Sequence, residues 1–210
     1  MFWSWQSDHP GRISRHFVRG ALEEAILALK EDPDVDEAAR DDELDHDRKD
    51  VPGSPDLATV IMEKIRDSDV FIADVTPIGA VTDIVGKKLI NPNVAIELGY
   101  AVGTLGDRAL LMIMNEAFGT REDLPFDLRH KAGPILYRLE STASNAEINA
   151  AKSKLVGVLK GHLREMLRNE RKAKPRPFHE AVPDTGNRGR FFGEGEVIAQ
   201  RNGTDFRCDG

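Results

Sequence analysis

The chain has 210 residues, 40% of them hydrophobic and 31% charged, and carries a net charge of −7. That length holds one domain of about 150 residues plus an appendage, and the balance of residue types is that of a globular protein with a real core. No apolar run approaches the roughly 20 residues of a membrane span, the acidic excess argues against a general nucleic-acid binder, and a lone Cys208 excludes an internal disulfide and a thiolate metal cluster.

Phe2 to Gln6 is short and aromatic-rich and is bounded by Ser7-Asp8-His9-Pro10-Gly11, which predicts a first strand running into a loop. No basic region precedes it and no long apolar segment follows, so it does not resemble a secretion signal, and a cytoplasmic location is expected. From Ser14 to Lys30, Phe17, Ala21, Leu22, Ala25, Ile26 and Leu29 recur at helical intervals, and Asp32-Pro33 ends that helix. Val35 to Ala39 has the makings of a short edge strand. The remaining acidic stretch to Asp50 is expected to be a loop.

Pro52-Gly53-Ser54-Pro55 is a turn, and Ser54 or Asp56 can cap a helix that places Leu57, Val60, Ile61 and Ile65 on its apolar side. Val70-Phe71-Ile72-Ala73 is a continuous apolar run of the kind buried on both faces of a parallel sheet, and it ends on Asp74-Val75-Thr76-Pro77. A loop to Ile90 leads into a further helix. Arg108 to Met114 is another buried strand, followed by a polar loop through Asn115 and Leu124 to Arg129. Pro134 to Tyr137 is a last strand. Ala143 to about Arg171 is a long helix with Ile148, Leu155, Leu159 and Leu163 inward.

This alternation predicts an α/β fold: an open, mainly parallel, flavodoxin-like sheet with helices on both faces, plus a C-terminal extension. We place the domain at residues 1–172. Residues 173–210 are a linker and tail in which Phe191-Phe192 and Glu196 to Ala199 look like hairpin strands, or the opening of a second domain. The basic run from Arg164 to Arg176 suits a helix terminus and linker, and secondarily a contact for an anionic partner.

The most informative stretch is Asn91-Pro92-Asn93-Val94-Ala95-Ile96-Glu97-Leu98-Gly99-Tyr100-Ala101. Asn91 can cap a helix, and Pro92 suits the first helical position, where its missing N–H is not needed. Val94, Leu98, Ala101 and Leu105 share one face; Glu97, Tyr100 and Thr104 share another. Between Lys88 and Asp107 the only charged side chain is Glu97. A helix so nearly apolar all round is expected to be buried, so its single carboxylate needs a reason to be there.

In open α/β sheets ligands bind beyond the carboxyl ends of the strands where strand order reverses. That rule selects Gln6-Ser7-Asp8 after the first strand, Asp74-Val75-Thr76 after the strand at Val70, and the helix carrying Glu97. A fixed carboxylate against an apolar wall suits N-glycosidic cleavage, because the ribose becomes positive as its base departs. Glu97 would act by hydrogen-bonding the ribose and stabilising the cation, or by direct attack on the anomeric carbon. Asp74 has a structural role, as a loop cap, almost as good as its functional one. Trp5 and Tyr100 have rings able to stack on nicotinamide or adenine, or simply to pack. His9 and His130 lack metal-site spacing and no Walker loop occurs, so neither metal nor cofactor is expected.

The first-strand block Phe2 to Ser7, Pro52 to Asp56, Asp69 to Thr76, Asn91 to Ala101 and Leu124 to Arg129 together resemble the Toll/interleukin-1 receptor (TIR) superfamily, in particular the bacterial TIR-like predicted nucleotide-binding domains of anti-phage defence effectors. The resemblance spans roughly residues 1 to 140, and the Glu97 block is its most specific part. Nucleoside deoxyribosyltransferases carry a similar Glu-Leu-Gly-Tyr-Ala segment with the Glu as nucleophile. The resemblance implies NAD hydrolysis to nicotinamide and ADP-ribose or a cyclic form, with Glu97 catalytic and Trp5, Gln6, Ser7, Asp74, Thr76, Asn93 and Tyr100 around the substrate. It also implies activation by self-association, and a separate domain or partner sensing a nucleotide signal. A nucleoside deoxyribosyltransferase-like enzyme and a non-catalytic nucleotide-binding or scaffolding module are the alternatives.

Overall fold

Alternation of apolar side chains along each strand sets the layers. The computed structural model describes residues 1–33, 35, 43–46, 53, 56–81 and 86–170, with strand residues 191–192, 196–201 and 204–207. Strands β1 (Phe2–Ser4), β2 (Phe71–Asp74), β5 (Leu110–Asn115) and β6 (Ile135–Tyr137) form a parallel sheet in the order β1-β2-β5-β6. Trp3, Ile72, Ile113 and Ile135 point to one face, where α1 (Arg15–Lys30) and α5 (Asn145–Glu170) cover them. Phe2, Phe71, Ala73 and Met112 point to the other, under α2 (Leu57–Arg66) and α3 (Pro92–Thr104). On β2 and β5 both faces are covered, which is why these strands read as unbroken apolar runs, whereas β6 leaves Leu136 exposed. The chain is thus an α/β protein with a four-stranded parallel sheet flanked by helices, as its sequence predicts.

The expected edge strand at Val35 to Ala39 is not found as such. Val35 is a buried bend, and residues 36–39 lie outside the described part of the chain. The free edge of β1 is instead met by a parallel bridge at Asp45, whose N–H donates to the Met1 carbonyl (2.9 Å) and whose carbonyl accepts from Trp3 N–H (2.8 Å). Lys64 on α2 holds that segment through the Asp45 carboxylate at 2.8 Å. Among the described residues of this acidic stretch, Asp45 makes a single bridge to the sheet. The connection from β1 to β2 thus carries α1 on one face of the sheet, the Asp45 bridge on its outer edge and α2 on the other face.

The remaining differences are local. The Pro77–Ile90 loop contains a short antiparallel pair, β3 (Gly79–Ala80) with β4 (Lys88–Leu89), and the loop after β5 contains a one-turn helix, α4 (Phe126–Arg129). Gly106, at φ 80°, ends α3 in a conformation open to glycine and turns the chain into β5. Tyr137 donates its hydroxyl to the Ile13 carbonyl at 2.9 Å and its ring tilts against Phe17, locking β6 to the start of α1. No helix among the described residues is long and apolar enough to cross a membrane.

Asp32, just past α1, ion-pairs with Arg164 at 2.9 Å and Lys160 at 3.3 Å on α5. Part of the basic run is therefore spent inside the domain. Asp32→Ala is expected to cost about 1–2 kcal/mol, since its partners are partly solvated, measured as a lower urea midpoint at unchanged m-value.

Residues Met1–Pro175 form one compact unit and Arg176–Gly210 a second. Within the second, β7 (Phe191–Phe192), β8 (Glu196–Arg201) and β9 (Thr204–Arg207) make an antiparallel sheet. The hairpin expected at 191–199 thus has one more strand than its composition suggested.

Candidate functional site

A cleft of about 460 Å³ opens above the carboxyl end of β1, between the N-terminal halves of α2 and α3. Helix α3 begins where its sequence dictates. The Asn91 side-chain oxygen accepts from the N–H groups of Asn93 (2.9 Å) and Val94 (3.3 Å), Pro92 opens the first turn, and Val94, Leu98 and Ala101 are buried against the sheet. That rotation brings Glu97 to the cleft wall. There the Ser4 hydroxyl donates to Glu97 Oε2 at 2.5 Å, a short, charge-assisted bond that fixes the carboxylate over the strand end.

The helix is less buried than its composition implied. Ala95, Ile96 and Gly99 face outward, and Ile96, 63% exposed, lines the cleft instead of packing in the core. Opposite, Leu57, Ala58, Ile61 and Met62 of α2 supply an apolar wall. Among the described lining residues Glu97 is the only one with a charge. Asp56 caps α2, accepting from Ala58 N–H at 3.3 Å; Ser54, the other candidate cap, lies outside the described residues.

The predicted site residues divide into two groups. Trp5, Gln6, Ser7 and Asn93 line the cleft with Glu97. Asp74, Thr76 and Tyr100 are not among its described lining residues. Asp74 is wholly buried: Oδ2 accepts from Gln6 Nε2 (3.2 Å) and Oδ1 from Thr76 N–H (3.0 Å). Burial pushes its carboxyl above the ordinary carboxylate range, opposed by the hydrogen bonds from Thr76 and Gln6. Thr76 Oγ1 in turn accepts from Asn115 N–H at 2.9 Å, and Asn115 pairs with Leu139 through both its amide groups. These groups tie together the ends of β1, β2, β5 and β6. Tyr100 packs in the α2/α3 core layer.

Gln6 serves both groups. Its amide nitrogen holds Asp74, while its oxygen accepts from the N–H groups of Asp8 (2.6 Å) and His9 (3.2 Å), fixing the loop that carries Ser7. His9 Nε2 lies 2.8 Å from the Pro77 carbonyl and its ring stacks on Phe118 at 3.8 Å, which gives this histidine a structural use. His130 packs edge-on against Phe126. No cluster of metal-binding side chains occurs among the described residues.

Three contributors escaped the sequence reading. Ser4 falls inside the predicted strand, yet period-two alternation with Phe2 aims it at the α3 face, which was the available signal. Asn91 is a cap, but its Nδ2 also donates to Asp8 Oδ2 at 2.8 Å, joining α3 to the β1 loop. The α2 wall looks in sequence like any amphipathic helix. No family model and no curated protein matches this chain, so the chemistry of the cleft itself carries the functional reading.

Proposed function

We propose that this protein hydrolyses an N-glycosidic bond, with NAD as substrate and nicotinamide and ADP-ribose, or its cyclic form, as products. The observation that carries the reading is Glu97, its Oε2 held at 2.5 Å by Ser4 in a cleft at the carboxyl end of β1. As the C1′–N bond breaks, its electron pair goes to the pyridinium nitrogen and nicotinamide leaves neutral. The ribose is left with oxocarbenium character, which a fixed carboxylate stabilises; water then adds to C1′ and loses a proton.

The same cleft argues against a neutral nucleoside. A purine or pyrimidine is a poor leaving group until an acid protonates it, and no second titratable side chain lines the cleft among the described residues. A pyridinium needs no such acid. The resemblance to TIR-like effectors extends the proposal to a role in anti-phage defence, with turnover rising on self-association.

The test is incubation of the full chain with NAD at high protein concentration, with chromatography for nicotinamide and ADP-ribose, since an assembly-dependent enzyme is silent when dilute. Base exchange between deoxynucleosides without loss of NAD would move the protein to the transferase reading. Ser4→Ala is expected to lower kcat for NAD about tenfold with KM nearly unchanged, because a charge-assisted hydrogen bond orienting the carboxylate is lost while the cleft walls remain. Steady-state kinetics on the folded variant checks this.

A further inference from the structure

A nucleotide substrate brings phosphates, and the described lining of the cleft offers them no cation. The nearest supply is the start of α1. Residues 9–19, His-Pro-Gly-Arg-Ile-Ser-Arg-His-Phe-Val-Arg, hold three arginines, two histidines and no acid in a chain of net charge −7. A helix start favours acids, yet the first turn of α1 has none. Two of the arginines are occupied: Arg12 donates to the Ala143 carbonyl, and Arg19 pairs with Glu23 at 2.8 Å.

Arg15 is placed differently. Its guanidinium carbon lies 5.1 Å from the centroid of the Trp5 ring, and Trp5 is part of the cleft wall. Among the described residues its only polar contact is with the neighbouring His16, at 3.4 Å, and no carboxylate ion-pairs with it. A guanidinium resting on an aromatic wall, with its two terminal NH2 groups unspent among the described residues, is pre-organised to receive a phosphate in fork geometry. The positive end of α1 reinforces that charge.

Building on the glycosidic reading, we infer that Arg15 anchors the phosphates of the substrate at the mouth of the cleft, so that the site selects a phosphorylated pyridine nucleotide over the free riboside. The pyrophosphate lies over Trp5 at the rim, and the nicotinamide riboside half reaches down toward Glu97.

The experiment is calorimetric titration of the full chain and its Arg15→Gln and Arg15→Lys variants with ADP-ribose and with nicotinamide riboside. Loss of one charge-assisted contact is expected to weaken ADP-ribose about tenfold in Arg15→Gln, with partial recovery in Arg15→Lys. Riboside affinity stays within about twofold, since it has no phosphate to lose. Equal weakening of both ligands, no change in either, or no binding of ADP-ribose by the wild type would overturn the anchor. Arg15-dependent ADP-ribose binding without any NAD turnover would strike down the hydrolase reading and leave the anchor standing.

Discussion

Glu97→Gln is expected to lower NAD turnover by at least about a hundredfold while leaving the melting temperature within a few degrees of the wild type. The size follows from the loss of a preorganised charge aimed at the cation that forms only in the transition state, an effect of about 2.7–4 kcal/mol. The stability claim follows from shape. Glutamine is nearly isosteric, and its amide oxygen still accepts from the Ser4 hydroxyl that now bonds Glu97 Oε2. The kcat and KM split is informative: a fall in kcat at constant KM marks an interaction made in the transition state alone. Full turnover in this variant would remove the catalytic assignment and leave a nucleotide-binding or scaffolding module.

Gln6→Glu is expected to cost about 3–5 kcal/mol of stability at neutral pH, more than any other single change proposed for the domain. The replacement keeps an oxygen for the Asp8 and His9 N–H groups, but it removes the amide nitrogen that donates to Asp74 Oδ2 at 3.2 Å. A second carboxylate then faces a wholly buried one, and like charges at that distance cannot both stay ionised. Burial already holds the Asp74 carboxyl above its ordinary value of 3.8, and the new neighbour raises it further. Groups whose folded pKa lies above the unfolded one contribute stability that is fully present below the unfolded value and lost as pH rises through the folded one. The variant is therefore expected to recover part of its loss near pH 4 and to be weakest at neutral and alkaline pH. Urea unfolding of both proteins across that range reads this directly. A loss that did not vary with pH would mean that the two carboxylates do not meet.

Where packing is local, sequence and structure agree. The start of α3 is fixed by Asn91 and Pro92, its buried face by the spacing of Val94, Leu98 and Ala101, and the central strands by apolar runs at Phe71 and Leu111. The same logic over-reached at Ile96. A composition with few polar residues implied burial on every side, but a helix on the outside of a four-stranded sheet has only one side to bury, and Ile96 on its far side lines the cleft. The acidic stretch misled in the opposite sense. Its charges hid a partner for β1 at Asp45, ten residues beyond the apolar Val35, because the bridge uses only main-chain groups.

The sequence by itself determined the α/β alternation, the position of a lone carboxylate on a capped helix, and the strand ends around which a ligand can sit. Each of these depends on periodicity, capping and hydrophobicity, which act over a few residues and so leave a local record. Only the tertiary structure decided that Ser4 grips Glu97, that Asp74 and Thr76 are structural ties behind the cleft, and that Trp5 carries a guanidinium. Those facts depend on how far the chain rotates and offsets one element against another, by distances of an ångström or two across separations of tens of residues. No local pattern encodes that sum of packing, hydrogen bonding and burial; it exists only once both faces of the sheet have been covered.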